Sequence, residues 1–189
     1  MEFIRTFIAL EIPEDLRETL SRVQQKLIQK TGGIRWVKPE NIHLTLKFLG
    51  STRKDKAEEV CRVLEQTAEG ISPFAFNVSG VGAFPNIRNP KVIWAGINAD
   101  DSLLLFQKKL EDALSSVGFP KEKRSFSPHL TLGRVKDTKA RKDLRNILEK
   151  YSNEGLGSFE FLRIIFFRSD LQPSGPVYSV LKDVEFTRS

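Results

Sequence analysis

Cysteine, histidine and methionine are almost missing from this chain, whose 189 residues hold one cysteine, two histidines and one methionine. The lone Cys61 excludes an internal disulfide and any zinc or iron–sulfur site built on several thiolates, and it points to a reducing cytoplasm. Long apolar runs are missing too. Nothing approaches the roughly 18 to 20 uninterrupted apolar residues of a membrane helix. The apolar stretch 3–12 is broken by Arg5 and Glu11 and lacks a basic leader and a small-residue cleavage site, so it reads as a strand and not a signal peptide. With 40% hydrophobic and 29% charged residues, intrinsic disorder and collagen-like repeats are excluded. The length allows about 70% of the unfolded surface to be buried, so no covalent staple is needed. A soluble cytoplasmic protein is expected, with no membrane partner and no periodicity that suggests anything but a monomer. The net charge of +6 is a mild bias toward an anionic partner, nucleic acid first.

Residues 3–11 predict a strand, ended by Pro13. Leu16, Leu20, Val23 and Leu27 recur at helical spacing until Gly32 and Gly33 stop the helix. A loop carrying Trp36 and Pro39 leads to a strand at 43–49, and Thr52 with Asp55 suggests a cap for a second helix bearing Ala57, Val60 and Leu64. Segments 73–84 and 91–98 predict a hairpin around the turn PNIRNP. Asp100 or Asp101 can cap a third helix, and a basic loop, KEKRSFSP, runs into a strand at 129–135. A basic helix from Thr138, with Ala140, Leu144 and Leu148 inward, and closing strands at 158–168 and 177–187 complete the chain. The alternation of helices with hairpin-linked strands predicts α+β with largely antiparallel sheets.

Residues 43–46 read His-Leu-Thr-Leu, and residues 129–132 read the same. Both histidines of the protein fall in that phrase, each in a strand that follows a Pro-containing loop and precedes a helix. A single histidine in an apolar strand is more often structural than catalytic; the repetition reverses that weighing and signals a duplicated lobe. Strand alternation puts His43, Thr45 and Lys47 on one face and Leu44, Leu46 and Phe48 on the other. His129 and Thr131 oppose Leu130 and Leu132 in the same way. If a pseudo-twofold axis relates the lobes, two imidazoles face each other across a cleft. That arrangement suits in-line displacement at phosphorus: a neutral imidazole takes a proton from water while a protonated one gives a proton to the leaving oxygen. The threonine hydroxyls can bond the non-bridging oxygens. No metal or other cofactor is called for.

Other chemistries fit less well. Two histidines need a third ligand to hold zinc, and neither motif has an acidic neighbour at ligand spacing. No Gly-x-Ser-x-Gly elbow appears. Gly80-Val81-Gly82 is too short for a dinucleotide fingerprint and marks a twisted or bulged strand. Most of the 14 phenylalanines are core. Lys121, Lys123 and Arg124, just ahead of His129, either track a phosphate backbone or form a solvated loop.

The two motifs, with RTFIALEIPEDL (5–16), WVKPENIHLTLKFLG (36–50), VIWAGI (92–97) and SFSPHLTLGRVK (125–136), make the chain resemble the 2H phosphoesterases. Among them it is most similar to the bacterial and archaeal RNA 2′,3′-cyclic phosphodiesterases, also called 2′-5′ RNA ligases. The resemblance implies one bilobal, pseudo-twofold domain over 1–189, with the site between two mainly antiparallel sheets. It implies hydrolysis of an RNA 2′,3′-cyclic phosphate end to a 2′-phosphomonoester, with His43 as proton donor, His129 as proton acceptor and Thr45 and Thr131 on the phosphate. Arg134 follows the second motif and would neutralise phosphate if a bulge at Gly133 returned it to the cleft face; otherwise it is a surface charge. Phe7 and Phe48 lie in segments the resemblance places near the cleft, as RNA contacts. Reversible 2′-5′ ligation through the same groups, or an RNA-end-binding module without turnover, are the alternatives.

Overall fold

The computed structural model describes residues 2–137 and 141–187; the expected helix start at Thr138 and Ala140 lies outside them. Nine strands and four helices alternate along the described chain: β1 (Phe3–Glu11), α1 (Glu14–Ile28), β2 (Ile34–Trp36), β3 (His43–Arg53), α2 (Lys54–Ala68), β4 (Phe74–Phe84), β5 (Val92–Ala99), α3 (Asp101–Ser116), β6 (His129–Val135), α4 (Arg141–Tyr151), β7 (Gly155–Phe161), β8 (Arg163–Gln172) and β9 (Gly175–Glu185). The fold is α+β, with two antiparallel sheets ordered β3-β1-β8-β9 and β2-β6-β5-β4-β7. Each motif strand belongs to a different sheet.

The helices form where the apolar spacing predicts. Leu16, Leu20, Val23 and Leu27 are buried along α1, and Asp100 caps α3 by accepting from the Ser102 N–H at 3.0 Å. Thr52 does not cap α2. The strand β3 runs on to Arg53, so Thr52 is buried inside it and shares a 2.7 Å hydrogen bond with the Thr6 hydroxyl, while Arg53 pairs with Asp55. The span 158–168, which reads as one strand, is divided at Leu162 between β7 and β8, and these lie in different sheets. No glycine, proline or other turn residue in FEFLRIIFF marks the break. Residues 34–36, read as loop, form the short edge strand β2 against β6.

The two halves of the chain exchange strands. β4, from the first half, pairs with β5 in the second motif's sheet, while β8 and β9 return to complete the first motif's sheet. Helices cross over as well. α1 follows β1 yet its buried Gln24 reaches the carbonyls of Val37 and Leu132 on the other sheet's side, and α3 follows β5 yet packs on α2 and reaches β3. A continuous apolar core, from Ile8 and Leu10 through Leu64, Phe106 and Ile93 to Leu132 and Phe161, fills the space between these layers.

The hairpin β4–β5 carries a bulge at Gly80, where Ser79 pairs with Gly96 and Val81 with Ala95. Gly80 has φ +72° and a Cβ there would collide with the Ser152 carbonyl oxygen, so both conformation and space demand glycine. Gly82 leaves room for the Trp94 indole, whose ring a Cβ would overlap.

A buried ion pair joins β3 to α3: Lys47 Nζ donates to Glu111 Oε2 at 2.7 Å and to the Pro120 carbonyl at 2.8 Å, and Glu111 Oε2 also accepts the Glu122 N–H at 3.1 Å. Lys47 is 3% and Glu111 8% exposed. Lys47→Met should therefore cost about 3–5 kcal/mol in urea unfolding, because it leaves a carboxylate buried without its cation. Adding Glu111→Leu should recover most of that loss; equal losses in the single and double variants would show that the charge pair is not the cause.

Candidate active site

Each histidine begins its strand and is held the same way. His43 Nδ1–H donates to the Asn41 carbonyl at 2.8 Å, and His129 Nδ1–H donates to the Ser127 carbonyl at 2.7 Å. A carbonyl only accepts, so each neutral ring carries its proton on Nδ1 and leaves Nε2 as a lone pair. The carrier of the first carbonyl is itself tied down: the Asn41 side-chain amide donates to the Pro176 carbonyl at 3.1 Å, linking the loop before β3 to the start of β9. Both rings are half-buried.

Simple alternation breaks down within each motif. On β3, Ala9 pairs with Thr45 but Ile8 with Lys47, so Leu46 is an extra residue; on β6, Trp94 pairs with Thr131 but Ile93 with Gly133, so Leu132 is extra. The second leucine of both motifs is thus a β-bulge. It shifts the side chains that follow by one place, on β3 as far as a second bulge at Leu49. Leu46 and Lys47 are both buried, as are Leu132 and Gly133, and Phe48 and Arg134 emerge instead. The expected faces are corrected accordingly: Lys47 leaves the histidine face for the ion pair with Glu111, and Phe48, 58% exposed, replaces it. Arg134 is exposed, its parity restored by a bulge one residue earlier than expected. Thr45 and Thr131 are half-buried, and neither hydroxyl has a protein hydrogen-bond partner among the described residues.

Each bulge carbonyl is satisfied from a helix of the other half. Gln24 Nε2 on α1 donates to Leu132 O at 2.9 Å, and Gln107 Nε2 on α3 approaches Leu46 O at 3.4 Å. Both glutamines are buried, at 4% and 9% exposure. A buried amide keeps its place only where its bonds are met, so these side chains fix where the motif strands change parity.

The surroundings of the two rings differ. His43 stacks on Phe7 at 4.8 Å between centroids, meets Tyr178 edge-on at 5.5 Å and has Phe167 at 6.2 Å. This aromatic wall desolvates the ring and lowers its pKa to about 4, against the smaller upward pull of the Asn41 hydrogen bond. Phe7 is only 2% exposed, with rings of His43, Phe167 and Tyr178 around it. That corrects its expected role as an RNA contact: no face is left for a base, and it backs the histidine instead. Phe48 lies 5.9 Å from Phe7. His129 meets Phe84 edge-on at 4.9 Å, and Phe84 in turn rests on Trp94 at 5.3 Å. Burial pushes the Tyr178 phenol up while the guanidiniums of Arg134 and Arg5 pull it down. Arg134 of one sheet is thereby within electrostatic reach of a ring that touches His43 on the other.

Sequence reading missed Tyr178, Arg5, Asn41, Gln24 and Gln107. The glutamines did leave a trace: each sits among the apolar positions of an amphipathic helix, where an uncharged polar side chain needs a buried partner. Tyr178 left none, since its pairing depends on the return of β9. Among the described residues no three His, Cys, Asp or Glu side chains gather as metal ligands would, and no helix is long and apolar enough to cross a membrane.

A family model described as LigT-like phosphoesterase matches residues 10–94 and again 96–178. An RNA 2′,3′-cyclic phosphodiesterase of Methanocaldococcus jannaschii is 37% identical over 180 residues, covering 95% of this chain and 99% of that one. One of Thermotoga maritima is 35% identical, covering 97% and 96%. Among solved structures, a Thermus thermophilus protein superposes with a TM-score of 0.84 at 27% identity, covering 97% of this chain and 98% of that one. Escherichia coli LigT complexed with 3′-AMP does so with a TM-score of 0.79 at 22% identity, covering 99% and 100%, a likeness of fold.

The aromatic wall has a measurable consequence. NMR titration should find His43 protonating near pH 4 in the free protein. Above about pH 6.5 its ring is neutral in folded and unfolded chains alike; as pH falls from 6.5 toward 4, only the unfolded chain takes up the proton, so the ring's contribution lowers stability across that window. Phe7→Leu should rehydrate the ring and raise its pKa by about one unit. A wild-type value already near 6.5 would refute the desolvation account.

Proposed function

Because the chain belongs to the LigT-like phosphoesterase family, we propose that it hydrolyses 2′,3′-cyclic phosphate ends of RNA to 2′-phosphomonoesters, using His43 and His129 as acid and base. The observation that carries this reading is the matched pair of Nδ1 bonds, which present two Nε2 atoms of fixed tautomer from two different sheets. Names of relatives that share about a third of the sequence over nearly their whole length support the substrate.

In the proposed reaction, His129 Nε2 takes a proton from water, the water oxygen bonds to phosphorus, and the P–O3′ bond breaks as His43 Nε2–H protonates the leaving oxygen. The family pattern supplies the direction. Thr45 and Thr131, with hydroxyls not engaged elsewhere, donate to the non-bridging oxygens, and Arg134 offsets their charge. His43 must be doubly protonated to act as an acid, since its neutral form has no proton on Nε2. Its lowered pKa makes that state scarce in the free protein. The bound phosphate anion, lying against the ring, favours the charged form and supplies the missing proton affinity. Substrate and acid thus assemble together. Cys61, half-buried with its thiol pushed up by burial, suits a reducing cytoplasmic setting, and the chain acts as a monomer in this reading.

Purified protein given RNA with a cyclic end, in EDTA, should yield the 2′-phosphate; His43→Ala and His129→Ala should each lower kcat by about 10²–10⁴. Full activity in both variants, or persistence of the cyclic end, would refute the proposal, and a joined 2′-5′ product would redirect it to ligation. The pH profile of kcat/KM should be a bell, and inorganic phosphate should raise the His43 pKa in the NMR titration. A rate rising steadily from about pH 5 to about pH 9 would rule out the two-histidine scheme.

A further inference from the structure

Beside the histidine face lies a second feature with no part in the chemistry above. A groove of about 500 Å³ is walled on one side by Lys47, Phe48 and Leu49 of β3 and on the other by residues 119–124 of the loop from α3 to β6. Its walls are the chain directly after the first motif and the chain leading to the second. It opens one ring away from the site, because Phe48 lines it and packs against Phe7, which stacks on His43.

The groove is held in shape. Lys47 and Glu111 grip the loop by the Pro120 carbonyl and the Glu122 N–H, so the second wall is fastened to the strand that forms the first. Its cations fall into two groups. Lys47 is neutralised by Glu111, and Lys121 pairs with Asp112. Lys123 and Arg124 are exposed and have no acidic partner among the described residues. Glu122 is the acidic member of the lining, leaving the free charge positive. Between the charges stand an exposed Phe48 and a half-buried Phe119.

We propose that this groove binds the single-stranded RNA immediately 5′ of the cyclic phosphate, with Lys123 and Arg124 on backbone phosphates and Phe48 and Phe119 against a base. Unpaired bases stack on aromatic rings, whereas a duplex keeps its bases stacked on each other. Free cations beside one exposed and one half-buried ring suit a single strand. An acidic peptide would use the cations and leave the rings unused. The proposal rests on the RNA-end reading of the site and extends it from the terminal phosphate to the preceding nucleotides.

The test compares a nucleoside 2′,3′-cyclic monophosphate with a five-nucleotide RNA bearing the same cyclic end, in wild type and in the Lys123→Ala/Arg124→Ala double variant. Wild type should prefer the longer substrate in kcat/KM by about tenfold or more. The double variant should lose that preference while turning over the mononucleotide normally, and its log–log salt dependence on the longer RNA should be shallower by about 1. Equal kcat/KM ratios in both proteins, or equal losses on both substrates, would overturn the groove. If wild type hydrolyses neither substrate, the functional reading fails separately. Fluorescence anisotropy with the uncleaved five-nucleotide RNA then decides the groove: a roughly tenfold weaker Kd in the double variant supports it, and an unchanged Kd rejects it. Thermal unfolding of both proteins confirms that the exposed substitutions leave the fold intact.

Discussion

A β-bulge inside each His-Leu-Thr-Leu phrase is the constraint on which the site depends. A regular strand would send the side chains after Thr45 and Thr131 alternately inward and outward, placing Lys47 beside the histidine and burying Phe48 and Arg134. One extra residue reverses this. Such a residue has a carbonyl outside the regular ladder, and a buried carbonyl without a donor is costly. Gln24 and Gln107 supply those donors from helices that begin in the opposite half. The bulge, the face it creates and the helix that secures it therefore form one unit, repeated with near symmetry.

The symmetry stops at the environment of the rings. Identical four-residue phrases place His43 beneath an aromatic wall and His129 beside a single phenylalanine edge. Phe7, Phe167 and Tyr178 come from β1, β8 and β9, strands brought together only by the return of the chain end to the first sheet. Desolvation makes the His43 cation scarce in the free protein, and an anion beside the ring would favour it.

Much of this was legible in the sequence because it depends on local chemistry. The repeated phrase identified the motif strands, leucine spacing identified α1, and an aspartate before an apolar run identified the α3 cap. Strand exchange was not legible, since FEFLRIIFF carries no break where β7 ends and β8 begins. Nor was the position of each bulge, although the glycine after Leu132 hinted at one. Lys47 shows the reason. Its charge argues for an exposed place, and only a long-range partner, Glu111, 64 residues away, makes burial tolerable. Pattern reading assigns a face from neighbours in sequence, whereas a bulge assigns it from neighbours in space.

The exchange of strands and helices also limits how the site can fail. If each half formed its own sheet and packed its own helices, one motif could loosen while the other kept its geometry. Here α1 secures the bulge of the second motif, α3 approaches that of the first, and β9 supplies both the Tyr178 ring against His43 and the carbonyl that anchors Asn41. Freeing the bond from α1 or from α3 requires moving a helix that follows a strand of the other sheet. Local opening of either helix therefore disturbs both halves. The proposed in-line displacement needs acid and base aligned through one phosphorus atom, and such coupling would serve it more than the strength of any single bond.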